Sequence, residues 1–149
     1  MANHSIELQW MGNMQFNALV GNHTIILDAP ERAGGKDAGP IPKPLLLTAL
    51  AGCAGMEIMS MLRKEQIVLA DFDTKVSGEV SRQQPFVYTS ILIRFEVKGG
   101  DSNMQAVLDS IHRSQTEVCG VSAMLSKVLP IYWEISYNGR NVFSNIPSI

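Results

Sequence analysis

The chain holds two cysteines, Cys53 and Cys119, and they are its strongest candidates for chemistry. In a reducing compartment such a pair is either two inert core residues or a redox couple. Cys53 lies in the middle of a long apolar run, Leu45 to Leu62. On a helical period Leu46, Ala49, Leu50, Met56 and Glu57 share its face. A carboxylate in such a run must be paired, protonated or facing a cleft. Glu57 is therefore a candidate site residue one turn from the thiol, with an ion pair to another element as the alternative. Cys119 falls at the seam between two helical segments, and a helix beginning there would lower its pKa through the helix dipole. Two thiols within bonding reach could run a peroxide cycle. One thiolate takes a peroxide oxygen and becomes a sulfenic acid, the other condenses with it to a disulfide, and external thiols reduce that disulfide. An apolar wall would favour bulky organic peroxides over hydrogen peroxide.

Other chemistries find little support. The sequence has no GxGxxG and no GxxxxGK[ST], and Gly34-Gly35 lacks the rest of either pattern. It has no CxxC, no HExxH and no GxSxG elbow. His4, His23 and His112 are isolated from one another and from the cysteines, so no metal or other cofactor is expected. The net charge of -2 carries no basic block, which argues against a nucleic-acid or anionic-membrane partner. His4, Glu7 and Gln9 interrupt the N-terminal apolar residues, so no secretory leader is expected. The longest apolar stretch, Leu45 to Met56, is about 12 residues against the roughly 20 that span a bilayer. A cytoplasmic location is the expectation.

The elements that must position the cysteines can be read from periodicity. The 149 residues suit a single domain over 1–149, and 46% hydrophobic with 17% charged residues is ordinary for a globular core. Alternation predicts strands over Ser5 to Trp10, Met14 to Val20 and Thr24 to Leu27, joined at Gly12-Asn13 and Gly21-Asn22. Asp28 to Pro44, rich in glycine, proline and charge, reads as a long loop of the kind that is functional or mobile. A helix follows from Pro44 to Gln66. It is apolar on every face, so it is buried in a core or at a subunit interface. Gly52 and Gly55 inside it imply close approach of another backbone, and the small chain has little material to cover such a helix, which points to a dimer. Strands follow at Phe72 to Val80 and Val87 to Val97, then a helix from Asn103 to Gln115 capped by Asp101-Ser102. A short third helix opens near Cys119. Pro130 to Tyr137 is the last expected strand, and Asn138 to Ile149 an exposed arm. Strand runs and helices are segregated, which predicts an α+β fold with antiparallel sheets packed on a long buried central helix.

Two segments carry a resemblance. Gly34 to Glu57, GGKDAGPIPKPLLLTALAGCAGME, resembles the central-helix signature of the OsmC/Ohr family, in its OsmC-like branch. Val118 to Lys127, VCGVSAMLSK, resembles its second-cysteine motif. The resemblance implies an α+β intertwined homodimer with two cysteine pairs at the dimer interface. It also implies thiol-dependent reduction of organic hydroperoxides in oxidative-stress defence, with Cys53 as the peroxidatic and Cys119 as the resolving cysteine. The implied partners are an organic hydroperoxide and a small-molecule or protein dithiol, with no cofactor. The family's peroxidases carry a glutamate at the start of the central helix and an arginine in the first turn. Here those places read Pro42-Lys43-Pro44 and Met11-Gly12-Asn13-Met14, putting Pro44 at the glutamate position. Arg32 and Glu57 are the nearest substitutes in kind. The rival expectation is a non-enzymatic dimer that binds a small apolar ligand or senses oxidants.

Overall fold

Alternation of apolar and polar residues builds the first three strands. In the computed structural model, which describes residues 3–148, β1 (Ile6–Gly12), β2 (Gln15–Val20) and β3 (His23–Leu27) form an antiparallel meander in the order β1-β2-β3. Gly12 and Asn13 turn the first hairpin with φ of 103° and 47°, and Trp10 Nε1 closes it on the Asn13 carbonyl at 2.9 Å. Register puts Leu8 opposite Ala18 and Ala18 opposite Ile25, so one face of the sheet is apolar. On that face Ile6, Leu8 and Trp10 are 58%, 52% and 65% exposed.

The segment after β3 is knit together around one carboxylate. Asp28 is buried and accepts the backbone N–H of Ala29, Lys36 and Ala38 at 2.8, 2.9 and 3.1 Å. A Cβ on Gly35 would sit 1.8 Å from the Ala29 carbonyl oxygen, and one on Gly39 would sit 2.2 Å from that of Ile26. These glycines therefore answer to close backbone approach. These residues, up to Leu46, form one compact unit, and the rest of the chain forms a second.

The second unit is organised by α1 (Pro44–Lys64), with Pro44 at its first position. Leu50, Ala54, Ile58 and Leu62 recur every four residues and make its buried stripe. They share a core with Ile91, Ile93, Phe95 and Val97, the inward alternation of β5 (Tyr88–Lys98). β5 pairs antiparallel with β4 (Asp71–Val80) and parallel with β6 (Ile131–Tyr137), giving the order β4-β5-β6-β7. The antiparallel expectation thus holds for every pair but one. β5 and β6 are joined by a helical crossover, which returns the chain in the same direction. The crossover contains α2 (Met104–Arg113), a π-turn at Ser114–Val118 and α3 (Gly120–Leu125). By length and composition α1 would pass for a bilayer span, contrary to the count of about 12 apolar residues. Its stripe is core instead.

Three expectations are corrected. Asp101-Ser102 caps nothing with a side chain; a 3-10 turn, Asp101–Asn103, leads into α2, and Asp101 Oδ1 accepts from Asn138 Nδ2 at 3.0 Å. The helix expected to reach Gln115 stops at Arg113, where the π-turn takes over. The supposed exposed arm contains β7 (Arg140–Ser144), paired with β6. Asn138 and Gly139, at φ of 49° and 80°, make the tight hairpin turn that this dipeptide favours. Val142 and Phe143 then pack on the core, Phe143 with its ring 4.3 Å from that of His112. Met1, Ala2 and Ile149, the last being the end of that expected arm, lie outside the described residues.

Candidate functional site

Cys53 is set by helix geometry. It lies beside the buried stripe of α1, next to Ala54, and is half-buried with a free thiol. Its position on the flank follows from the stripe: Leu50 and Ala54 point into the core, so their neighbours turn toward its edge. Glu57 is half-buried one turn further on and makes no hydrogen bond or ion pair among the described residues. The alternative of an ion pair to another element is therefore not realised within this chain's described residues. Met56, expected on the same face, is 77% exposed.

Cys119 is set by an irregularity. The helix that begins as α2 widens into the π-turn, whose extra residue shifts the chain. The Cys119 N–H donates to the Ser114 carbonyl at 2.9 Å, and the residue then leaves helical geometry at φ -69°, ψ 107°. Thr116 Oγ1 donates to the His112 carbonyl at 2.8 Å, satisfying an acceptor in the widened turn. Cys119 is then the N-cap of α3, its sulfur accepting the Ser122 N–H at 3.4 Å.

Cys119 is 2% exposed, and burial pushes its thiol up to about 11. The Ser122 N–H pulls the other way, while the neighbouring Cys53 thiol adds to the rise through a side-chain hydrogen bond and its charge. The expectation of a lowered Cys119 pKa is thereby overturned. A six-residue helix offers a small dipole, and desolvation of the thiolate outweighs it. The two thiols are thus unbonded neighbours, one half-open and one enclosed and protonated at neutral pH.

Polar side chains that the sequence reading did not single out surround this pair. Ser114, Gln115 and Ser122 are buried. Ser122 Oγ donates to Gln115 Oε1 at 3.3 Å, Gln115 Nε2 to Ser114 Oγ at 3.5 Å, and Ser114 Oγ to the Ala54 carbonyl at 3.4 Å. The available signal was Ser114-Gln115 directly after an apolar helical stripe, on the side that Val107 and Ile111 continue.

Arg32 lies in the exposed 3-10 turn Glu31–Ala33 of the first unit. The first turn, Met11 to Met14, carries no charged side chain. Among the described residues no three of His, Cys, Asp and Glu are grouped to hold a metal. A groove of about 490 Å³ lies on the outward face of the second sheet, between Ser77, Glu79, Leu92 and Tyr132, and neither cysteine lines it.

Comparison with known proteins agrees with this architecture. A family model described as OsmC-like protein matches residues 34–134, which include both cysteines and Glu57. Protein YhfA of Escherichia coli K12 is 27% identical over 125 residues, covering 83% of this chain and 90% of YhfA. An OsmC-like protein from Mycoplasma pneumoniae superposes with a TM-score of 0.74 at 19% identity, over 91% of this chain and 97% of that one. An organic hydroperoxide resistance protein from Elizabethkingia anophelis superposes with a TM-score of 0.67 at 12% identity, over 93% and 98%. With the fold matched nearly end to end and the family model spanning the region that bears the cysteines, the chain belongs to the OsmC-like protein family.

Proposed function

We propose that this protein reduces organic hydroperoxides with thiols, Cys53 acting as nucleophile and Cys119 as resolving cysteine, in oxidative-stress defence in the cytoplasm. The observation that carries the reading is the asymmetry of the two adjacent thiols. A nucleophile must meet its substrate, and Cys53 is the accessible one. A resolving thiol must wait unreacted, and the enclosed Cys119, held protonated by burial, does so.

Cys53 loses its proton, and its thiolate attacks the outer peroxide oxygen. The S–O bond forms, the O–O bond breaks, and the alkoxide takes a proton to leave as an alcohol. Cys119 then gives up its proton and attacks the Cys53 sulfur. The disulfide forms, and hydroxide departs as water with that proton. A dithiol returns two electrons and two protons. Glu57, unpaired and one turn from Cys53, is assigned the proton transfers of the first step, in place of the carboxylate absent at Pro44. No metal or organic cofactor is needed for any step.

A homodimer fits the apolar surface that the single chain leaves open. Ile6, Leu8 and Trp10 give the first sheet an exposed apolar face, and on α1 Met56 is exposed as well; exposed apolar surface of this kind marks an association site. A stable dimer would enclose it.

The test is steady-state reduction of cumene hydroperoxide and hydrogen peroxide with a dithiol as reductant. Turnover with preference for the organic peroxide is expected, and no turnover above the thiol background with either sinks the reading. One observation favours a second reading, a dimer that binds an apolar ligand or senses oxidants. No arginine stands in the first turn and Pro44 holds the glutamate position. In that case Cys53 would oxidise slowly and without turnover.

A further inference from the structure

Ser114, Gln115 and Ser122 form a directional chain of hydrogen bonds inside an apolar core. Each is buried, so each would be costly if left unpaired. They satisfy one another instead. The chain begins at the Cys119 sulfur, which accepts the Ser122 N–H. It runs through the Ser122 hydroxyl to the Gln115 carbonyl, and through the Gln115 amide to the Ser114 hydroxyl. It ends on the carbonyl of Ala54, the residue after Cys53. Gln115 is the one member that spans the gap, since a carboxamide both accepts and donates at its two ends. Both ends of the chain therefore sit at a cysteine, although those cysteines belong to different elements.

This matters because the backbone near Cys119 is not regular. A π-turn and a single-turn helix leave the position of the Cys119 sulfur relative to α1 weakly determined by local structure. Packing alone resists translation of a side chain poorly where small residues such as Ala54 meet serine. The hydrogen-bonded chain supplies the missing constraint. We propose that Gln115 is a positioning residue for the cysteine pair: it joins Ser122, which holds the Cys119 sulfur, to Ser114, which is anchored on α1 beside Cys53. Its use in catalysis rests on the reductase reading, because fast closure of the disulfide protects the Cys53 sulfenic acid from a second peroxide. The positioning itself does not depend on that reading.

The test measures positioning without peroxide. Reduced protein is equilibrated with oxidised and reduced dithiothreitol. The Cys53 and Cys119 thiols give two protons and two electrons to the cyclic disulfide, and the S–S bond forms between them. The equilibrium constant reports the effective concentration of one thiol at the other. Gln115→Met keeps the volume and removes both hydrogen bonds. It is expected to lower that constant by about tenfold, in the range that sub-ångström to ångström misplacement produces. Ser114→Ala cuts the anchor on α1 and should act in the same direction, while Ser114→Thr, which keeps the hydroxyl, should restore the wild-type constant. If Gln115→Met does not keep the wild-type far-ultraviolet spectrum, Ser114→Ala and Ser114→Thr carry the test alone. A constant unchanged by Ser114→Ala or Gln115→Met overturns the proposal, as does a Thr variant no better than the Ala variant. Failure of the wild type to turn over peroxide would overturn the reductase reading and leave this equilibrium to decide the role of Gln115.

Discussion

The two cysteines stand in opposite kinds of structure. Cys53 lies mid-helix on α1, where every neighbour is fixed by the 3.6-residue repeat and one flank stays open. Cys119 lies where regular structure breaks, after a π-turn, enclosed and held through buried polar side chains. The regular element offers a rigid, reachable sulfur. The irregular one hides its sulfur from solvent while aiming it at the first. The difference in exposure between the two thiols thus follows from local backbone as much as from residue type.

Removing the accessible partner should have the largest effect. Cys53→Ser is expected to abolish peroxide turnover while leaving the far-ultraviolet spectrum and oligomeric state intact, checked by steady-state assay and size-exclusion chromatography. Residual turnover near wild type would erase the contrast between the cysteines. The next effect concerns pH. Because burial raises the Cys119 pKa to about 11, the attacking thiolate is scarce at neutral pH, so the rate of disulfide closure should climb about tenfold per pH unit and level off near that value. Stopped-flow fluorescence of Trp133, which packs beside the same core, offers a readout; a rate flat between pH 7 and 9 would place the Cys119 proton elsewhere. The same raised pKa bears on folding. The native state keeps a proton that the unfolded chain releases around the ordinary thiol value of 9.0, so this contribution is present below that value and is lost as pH rises toward 11. Alkaline denaturation should therefore set in earlier for wild type than for Cys119→Ser.

The scaffold beneath Cys53 gives a further prediction. Ile58 is fully buried in the α1 stripe, and Ile58→Ala should destabilise the protein by about 2–5 kcal/mol in chemical denaturation. The smallest effect lies in the first unit. Backbone hydrogen bonds from Ala38 and Lys36 hold the Asp28 carboxyl below its ordinary value. Its contribution is complete above the unfolded carboxyl value and is lost as pH falls through the depressed native one. Asp28→Asn should speed hydrogen exchange at Lys36 and Ala38 while leaving the cysteine chemistry untouched, since nothing in the cycle uses that carboxyl.

Much of this was legible in the sequence, and the exceptions share a cause. The three-strand meander, the central helix and the long strands β4 and β5 are periodic over many residues, and their pattern states their structure. The Asn138-Gly139 turn was equally readable as a hairpin signal, yet β7 was missed because Arg140 and Asn141 mask the short Val142-Phe143 pair that follows. The parallel pairing of β5 with β6 depends on how the crossover packs, which no local pattern encodes. The two cysteines and Glu57 were named from residue type and spacing. The direction expected for the Cys119 shift, a lowering, was the wrong one, because the dipole of α3 can be anticipated from sequence whereas the depth of burial depends on tertiary packing. Ser114, Gln115 and Ser122 escaped for a related reason: a serine or glutamine near a cysteine is unremarkable until three of them meet in the core.

The most direct test is to treat reduced protein with one equivalent of cumene hydroperoxide and map the products by mass spectrometry, in wild type and in Cys119→Ser. A Cys53–Cys119 disulfide is expected in the wild type, and in the variant a Cys53 sulfenic acid that advances to sulfinic acid when a second equivalent is added. Oxidation appearing first at Cys119, or both thiols surviving unchanged, would contradict it.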